Sequence, residues 1–161
     1  MTYLANALTP DNVLSSVRVN SKKHLFHILS NQLARTSIFL QAEDIYAAIS
    51  EREQVETTGF ERGVAFPHAR LNLLKRPVCA FARLESQIAW DSHDGLPVDL
   101  VLMLLSPSDN PQSHLKLFAE VARLFSDQSL CKQLRGTDNA DSIYAILTQS
   151  PDGISRQLRA G

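Results

Sequence analysis

The chain predicts an α/β fold, a three-layer α/β/α sandwich with helices on both faces of a central sheet. Three stretches carry that prediction. Val98 to Leu105 reads Val-Asp-Leu-Val-Leu-Met-Leu-Leu between Pro97 and Pro107, a near-continuous apolar run of the kind found in strands covered on both faces. Upstream, Leu25, Ile28, Leu29 and Leu33 recur at helical spacing; downstream, Leu115, Phe118, Val121, Ala122 and Phe125 do the same. A strand buried on both faces, with amphipathic helices before and after it, requires a helical layer on each side.

Taken in order, Leu4, Ala7 and Leu8 predict a short helical turn, and Thr9-Pro10-Asp11 reads as a break. Val13, Leu14, Val17 and Val19 form a β-prone stretch. Asn20 or Ser21 is a candidate N-cap for a helix from Lys22 to about Ala34. In it, His24 and His27 read as surface or boundary packing. A second helix is expected from Ala42 to Arg52, ending in the charged turn Glu51-Arg52-Glu53. Val64 to Phe66, bounded by Gly63 and Pro67, reads as a short buried strand, and Val78 to Leu84 as another. Asp91-Ser92-His93-Asp94-Gly95 is a turn, with His93 an exposed member of it. Ser106 to Pro111 is a loop, and Ser113 is the candidate N-cap of the third helix, which places His114 in its first turn. Asp127 to Leu134 and Asp138 to Leu147 predict two more helices. The 161 residues suit one domain over positions 1–150. After Pro151-Asp152-Gly153, positions 151–161 are expected to fray.

Composition narrows the function. Hydrophobic residues make up 44% and charged residues 20%, the balance of a globular protein, and the formal net charge is -1. Lysines and arginines are scattered, so no basic field favours nucleic acid or an anionic membrane. No apolar stretch approaches the ~20 residues that cross a bilayer, and positions 1–8 lack the layout of a signal peptide. A cytoplasmic location is therefore expected. Cys79 and Cys131 belong to no closely spaced Cys/His set, so they read as buried reduced thiols and neither a metal site nor a cofactor is expected.

The common phosphate-loop, dinucleotide, nucleophile-elbow and metalloprotease motifs are all missing. What stands out is Thr57-Thr58-Gly59-Phe60-Glu61-Arg62-Gly63-Val64-Ala65-Phe66-Pro67-His68-Ala69-Arg70. Hydroxyls and glycines lead into a short strand that stops at a Pro-His pair near arginines. Such a layout suits an anion, a phosphoryl group on His68 being the obvious candidate, with Arg52, the Thr57 and Thr58 hydroxyls and the amides around Gly59 and Gly63 as donors. Arg52 also has a plainer reading, a cation favoured by the helix C-terminal dipole. His114 follows the second strand-and-loop unit. If that strand and Val64–Phe66 are parallel neighbours, both histidines gather at the strands' carboxyl ends, where ligands bind in open α/β sheets. A histidine in the first turn of a helix is biased toward its neutral form.

These residues, Arg52-Glu53, Thr58-Gly59, Gly63-Val64-Ala65-Phe66-Pro67-His68 and later Ser113-His114-Leu115, resemble the enzyme IIA domains of the phosphotransferase system's mannitol/fructose class. The stand-alone, nitrogen-related branch is the nearest. Ser21-Lys22-Lys23 and Pro97-Val98-Asp99-Leu100 match in order and spacing, and the resemblance runs from about Leu4 to Leu147. It implies an α/β/α sandwich with a mixed sheet, phosphorylation of His68 by an HPr-type phosphocarrier, and Arg52 and His114 lining the site. Regulatory target proteins would be further partners. One departure is Glu61, where the family has a glycine (Thr-Gly-Ile-Gly-x-Gly), which sets an anion beside the expected anion site.

The reading that follows is a phosphocarrier with a regulatory role, with exposed apolar residues such as Phe60 as candidate partner contacts. The alternatives are a sugar-specific enzyme IIA that feeds a permease, and a protein-binding module that is no longer phosphorylated. A hydrolase using a metal on His68, His93 and His114 lacks a carboxylate or cysteine to complete the ligand set.

Overall fold

In the computed structural model, which describes residues 2–149, the side chain of Thr2 caps a short helix, α1 (Tyr3–Ala7), by accepting from the Ala5 N–H at 3.1 Å. The chain then passes directly into strand β1 (Leu8–Val17). Thr9-Pro10-Asp11 is therefore strand and not a break. Among the described residues, β1 is an edge strand that pairs only with β4 (Val78–Ile88), and its register shifts between Leu8 and Val13. Such an irregular edge accommodates proline, whose missing N–H has no ladder partner to lose.

Ser21 caps α2 (Lys22–Arg35) by accepting from the His24 N–H at 3.1 Å. Helix α3 (Ala42–Val55) carries Glu43 and Asp44 in its first turn, where the dipole favours anions, and extends one turn past Arg52. His27 stacks on Tyr46 of α3, ring centroids 3.8 Å apart, which is the boundary packing its helix position predicts.

β2 (Val64–Ala65) and β3 (His68–Leu71) run parallel to β5 (Val98–Pro107), to which β4 is antiparallel. β1 is parallel to β4, so the sheet is mixed, in the order β1-β4-β5-β2, with β3 also on β5. Along β5, Val101, Met103 and Leu105 join the core under α2 and α3, while Leu100, Leu102 and Leu104 join the one under α1, α4, α5 and α6. That two-sided burial is why the run carries no polar alternation. Each side chain so buried contributes about 1.5–3 kcal/mol.

On the second face, α4 (Pro111–Phe125) is capped by Asn110, which accepts from the Ser113 N–H at 3.2 Å, with Pro111 in its first turn. Ser113 is thus inside the helix, and Asn110 takes the role expected of it. The buried stripe is His114, Leu117, Val121 and Phe125. Leu115, expected on that stripe, is 63% exposed. Asp127 and Asn139 cap α5 (Gln128–Arg135) and α6 (Ala140–Thr148). Cys79 and Cys131 are buried free thiols. No described helix is long and apolar enough to cross a membrane. The expected fraying of positions 151–161 lies outside the described residues.

Candidate functional site

The edge of the sheet is interrupted between β2 and β3. Val64 and Ala65 pair with Leu100 and Val101, the ladder skips Phe66 and Pro67, and it resumes with His68 opposite Leu104. Pro67 has no N–H to offer, yet its carbonyl accepts from the Leu104 N–H at 2.9 Å. Phe66 turns both of its backbone groups away from β5. Its N–H donates to the Thr58 carbonyl at 3.0 Å, and its carbonyl accepts from Nδ1 of His68 at 2.8 Å.

That second bond decides the chemistry of His68. A carbonyl only accepts, so Nδ1 carries the proton, and the neutral ring keeps an unprotonated Nε2. Burial, aided by the charges of Arg52 and Arg70, holds the ring's pKa below its usual 6.5 against the opposite pull of the Phe66 carbonyl and of Glu53. The neutral, nucleophilic form is the one favoured near pH 7.

His114 sits in the first turn of α4, and its ring lies 5.4 Å from that of His68, centroid to centroid. Its Nδ1 is 2.8 Å from the hydroxyl of fully buried Ser106 at the end of β5. Burial first, then the neighbouring His68, Arg70 and Arg52, pushes it down to about 4. Phe118, one turn further along α4, packs against both imidazoles, at 5.2 Å and 6.0 Å. The parallel pairing of β2 and β3 with β5 is what gathers the two histidines, as expected for strands that are neighbours.

Arg52 sits at the end of α3 and at the rim of a cleft. Its Nη1 donates to the Glu56 carbonyl at 2.8 Å, at the end of α3, and the residue also lines a cleft of about 490 Å³ with Val55, His68, Arg70 and His114. Arg70 belongs with the site because residues i and i+2 of a strand share a face; its place two positions after His68 was the available signal.

The glycine loop is placed differently from the expectation. Thr57, Thr58, Gly59 and Gly63 do not line this cleft. The Thr58 N–H donates to both carboxylate oxygens of Glu53 at 3.1 Å, and its hydroxyl donates to Glu53 as well. The Thr57 hydroxyl accepts from the Gly59 N–H at 3.1 Å. Gly59 is a point of close approach, because a Cβ there would lie 2.8 Å from Cβ of Ser92. Gly63 has φ +85° and would set a Cβ 2.6 Å from Nη2 of Arg135. These positions shape the loop and hold it in place.

Glu53 enters the sequence reading as part of a charged helix end and of the family resemblance, with no role of its own. Its side chain is 7% exposed and pairs with Lys22 at 2.8 Å, whose ammonium lies 4.8 Å from the centroid of the Trp90 ring. A carboxylate in the last turn of a helix opposes the dipole, and that misfit is the signal pointing to a buried partner. Glu61 is not in the left-handed region, which Arg62 (φ +53°) and Gly63 occupy, and it does not line the cleft. The departure at this position therefore demands no glycine. Phe60 packs on Phe66 at 5.1 Å, which makes it a poor partner contact; Val55, Leu73 and Leu115, at 80%, 67% and 63% exposure, are the free apolar side chains near the histidines in sequence or at the cleft. His93 is exposed and 3.3 Å from Glu56. Among the described residues no group of three or more His, Cys, Asp or Glu is placed to hold a metal.

This constellation can hold a dianion against two guanidinium groups beside an unprotonated imidazole nitrogen. Comparison with known proteins gives the family. A nitrogen regulatory protein of Bradyrhizobium diazoefficiens is 36% identical over 148 residues, 92% of this chain and 96% of that one. The crystal structure of nitrogen regulatory protein IIA-Ntr from Neisseria meningitidis superposes with a TM-score of 0.87 at 32% identity, covering 91% of this chain and all of that one. The mannitol IIA of Escherichia coli, at 15% identity and a TM-score of 0.74 over 87% of this chain and 98% of that one, shares the fold. Residues 6–150 match the family model for the phosphoenolpyruvate-dependent sugar phosphotransferase system, EIIA 2, and the chain belongs to that family.

Proposed function

We propose that the protein is a phosphocarrier with a regulatory role, which accepts a phosphoryl group on Nε2 of His68 from the phosphohistidine of an HPr-type donor. The observation that carries this is the 2.8 Å bond from Nδ1–H of His68 to the Phe66 carbonyl, which leaves Nε2 as the free nucleophile. The Nε2 lone pair attacks phosphorus in line, the P–N bond to the donor ring breaks, and the electron pair returns to that ring, which is protonated on its other nitrogen and so leaves as neutral imidazole. His68 keeps its Nδ1 proton, and the resulting imidazolium strengthens the bond to Phe66. We take Ser106 to donate to Nδ1 of His114, which leaves the His114 proton on Nε2 to be offered to a phosphoryl oxygen. Arg52 and Arg70 balance the added charge. Catalysis is positioning and charge stabilisation throughout. Thr57, Thr58, Gly59 and Gly63 act on the phosphoryl group indirectly, by shaping the loop that carries Phe66.

The phosphoryl group adds nearly two negative charges, against one positive charge gained by the ring, at a cleft rimmed by Val55, and target proteins would read that difference. The regulatory role is favoured over delivery to a permease by the similarity, over nearly the full length, to proteins named nitrogen regulatory proteins. A cytoplasmic location fits this role.

The test is to incubate the protein with phosphoenolpyruvate, enzyme I and an HPr-type carrier and to look for an acid-labile, alkali-stable phosphoryl group. Label on the wild type that disappears in His68→Ala supports the reading. No label on the wild type rejects it in favour of a module that acts by protein contacts alone.

A further inference from the structure

We infer that Glu53 is a positioning residue that sets the tautomer of His68 from a distance, through the glycine loop; the inference rests on the proposed role of His68. The chain of contacts is continuous. Lys22 of α2 holds the Glu53 carboxylate at 2.8 Å. Glu53 accepts from the backbone N–H and the hydroxyl of Thr58. The Thr58 carbonyl accepts from the Phe66 N–H at 3.0 Å, and the Phe66 carbonyl accepts from Nδ1 of His68 at 2.8 Å.

Glu53 does not line the cleft, so it touches neither the reacting nitrogen nor an incoming group. What it controls is where the Phe66 peptide points. Phe66 lies in the gap between β2 and β3, where no ladder bond to β5 fixes it. Its N–H is anchored only by Thr58. Thr58 in turn belongs to a loop tied also by the Phe60 N–H to the Val64 carbonyl at 2.8 Å, by the bridge of Gly59 to Ala65 and, further along, by the Arg62 N–H to Asp94 and the Arg62 carbonyl to Arg135, both at 2.8 Å. Among the described residues, Glu53 is the group to which Thr58 itself donates, and it is charged, buried and paired. Hydrogen bonds to a charged acceptor are about twice as strong as neutral ones.

Removing the carboxylate frees Thr58, lets the Phe66 peptide rotate, and releases Nδ1 of His68. The neutral ring then divides between its two tautomers, and the Nε2–H form has no lone pair for phosphorus. Loss of a group that orients a metal-bound imidazole costs roughly 10- to 100-fold, and the lower end of that range is expected here.

The test reads the ring itself, without any phosphoryl transfer. The 15N shifts of His68 in the unmodified protein at pH 8 are compared for wild type, Glu53→Ala and Glu53→Gln. Wild type is expected to show a protonated Nδ1 and a bare Nε2. Glu53→Ala is expected to move both signals toward an average of the two tautomers, and Glu53→Gln, which has one acceptor for the two Thr58 donors, by a smaller amount. The signals of His114, held by Ser106, are expected to stay in place. Transfer from the donor is expected to fall about tenfold in Glu53→Ala. If Glu53→Ala does not fold, Glu53→Gln gives the reading. A His68 tautomer unchanged in a folded variant overturns the inference. A wild type that takes no label while its tautomer still depends on Glu53 overturns only the phosphocarrier reading.

Discussion

The imidazoles of His68 and His114 face each other with centroids 5.4 Å apart and planes tilted by 45°. Two cationic rings at that distance would repel, and burial together with Arg52 and Arg70 lowers the pKa of both. The pair is therefore neutral at pH 7; in the proposed phosphocarrier role, one ring would be the nucleophile and the other a donor.

This sets the pH dependence of labelling. The pKa of His68 lies below its usual 6.5, so the unprotonated form predominates above that value. The rate of phosphoryl acceptance, measured from pH 5 to pH 8 with a donor labelled in advance, is expected to be flat above about 6.5 and to fall as acid protonates Nε2. A midpoint above 7 contradicts the assignment.

Stability has its own pH dependence, through His114. Its folded pKa of about 4 lies below the unfolded value near 6.5, so between these limits the unfolded chain binds more protons than the folded one. The contribution of His114 to stability is fully present above pH 6.5 and is lost as pH falls toward 4. Urea titrations at pH 7 and pH 4.5 are expected to show a smaller loss in His114→Gln than in wild type.

Ser106 orients His114, and the two bear on the rate to different extents. Loss of one donor to a developing charge costs about a hundredfold, the expected effect of His114→Ala on transfer to His68. Ser106→Ala keeps the ring but frees it, and about a tenfold loss is expected. Equal rates for Ser106→Ala and wild type rule out that hydrogen bond as a positioning contact.

Glu61→Gly is expected to leave the rate within about twofold of wild type, the range of a surface change away from the chemistry. An accelerated rate reinstates Glu61 as an obstruction.

Gly59→Ala forces a Cβ to within 2.8 Å of Cβ of Ser92. Overpacking of this kind costs about 1–3 kcal/mol, read as a lower urea midpoint. Ser92→Gly in the same chain is expected to restore part of it.

The order of the elements and the two-sided burial of β5 were legible in the sequence because apolar periodicity reports burial directly. The pairing of His68 with His114 was legible once two strands were placed side by side. What escaped was set by long-range contacts. Thr9-Pro10-Asp11 has the composition of a turn, and only its place on an irregular edge makes it strand. Leu115 fits the helical spacing, yet the buried stripe starts at His114, whose polarity hid it. The Thr57–Gly59 hydroxyl and amide groups look free in the sequence, and it takes the fold to bring Glu53 to them.

The gap between β2 and β3 has one more consequence. The outer edge of a sheet invites a foreign strand, which adds by pairing with its open N–H and carbonyl groups. Here the segment from Thr58 to Phe60 lies antiparallel along β2 and bonds to Val64 and Phe66, and the His68 ring occupies the next carbonyl. The margin of the sheet is thus sealed by the same contacts that prepare the nucleophile. A change that loosens the loop would expose a sticky edge as well as disarm the histidine, so loss of activity and a tendency to aggregate would arise together.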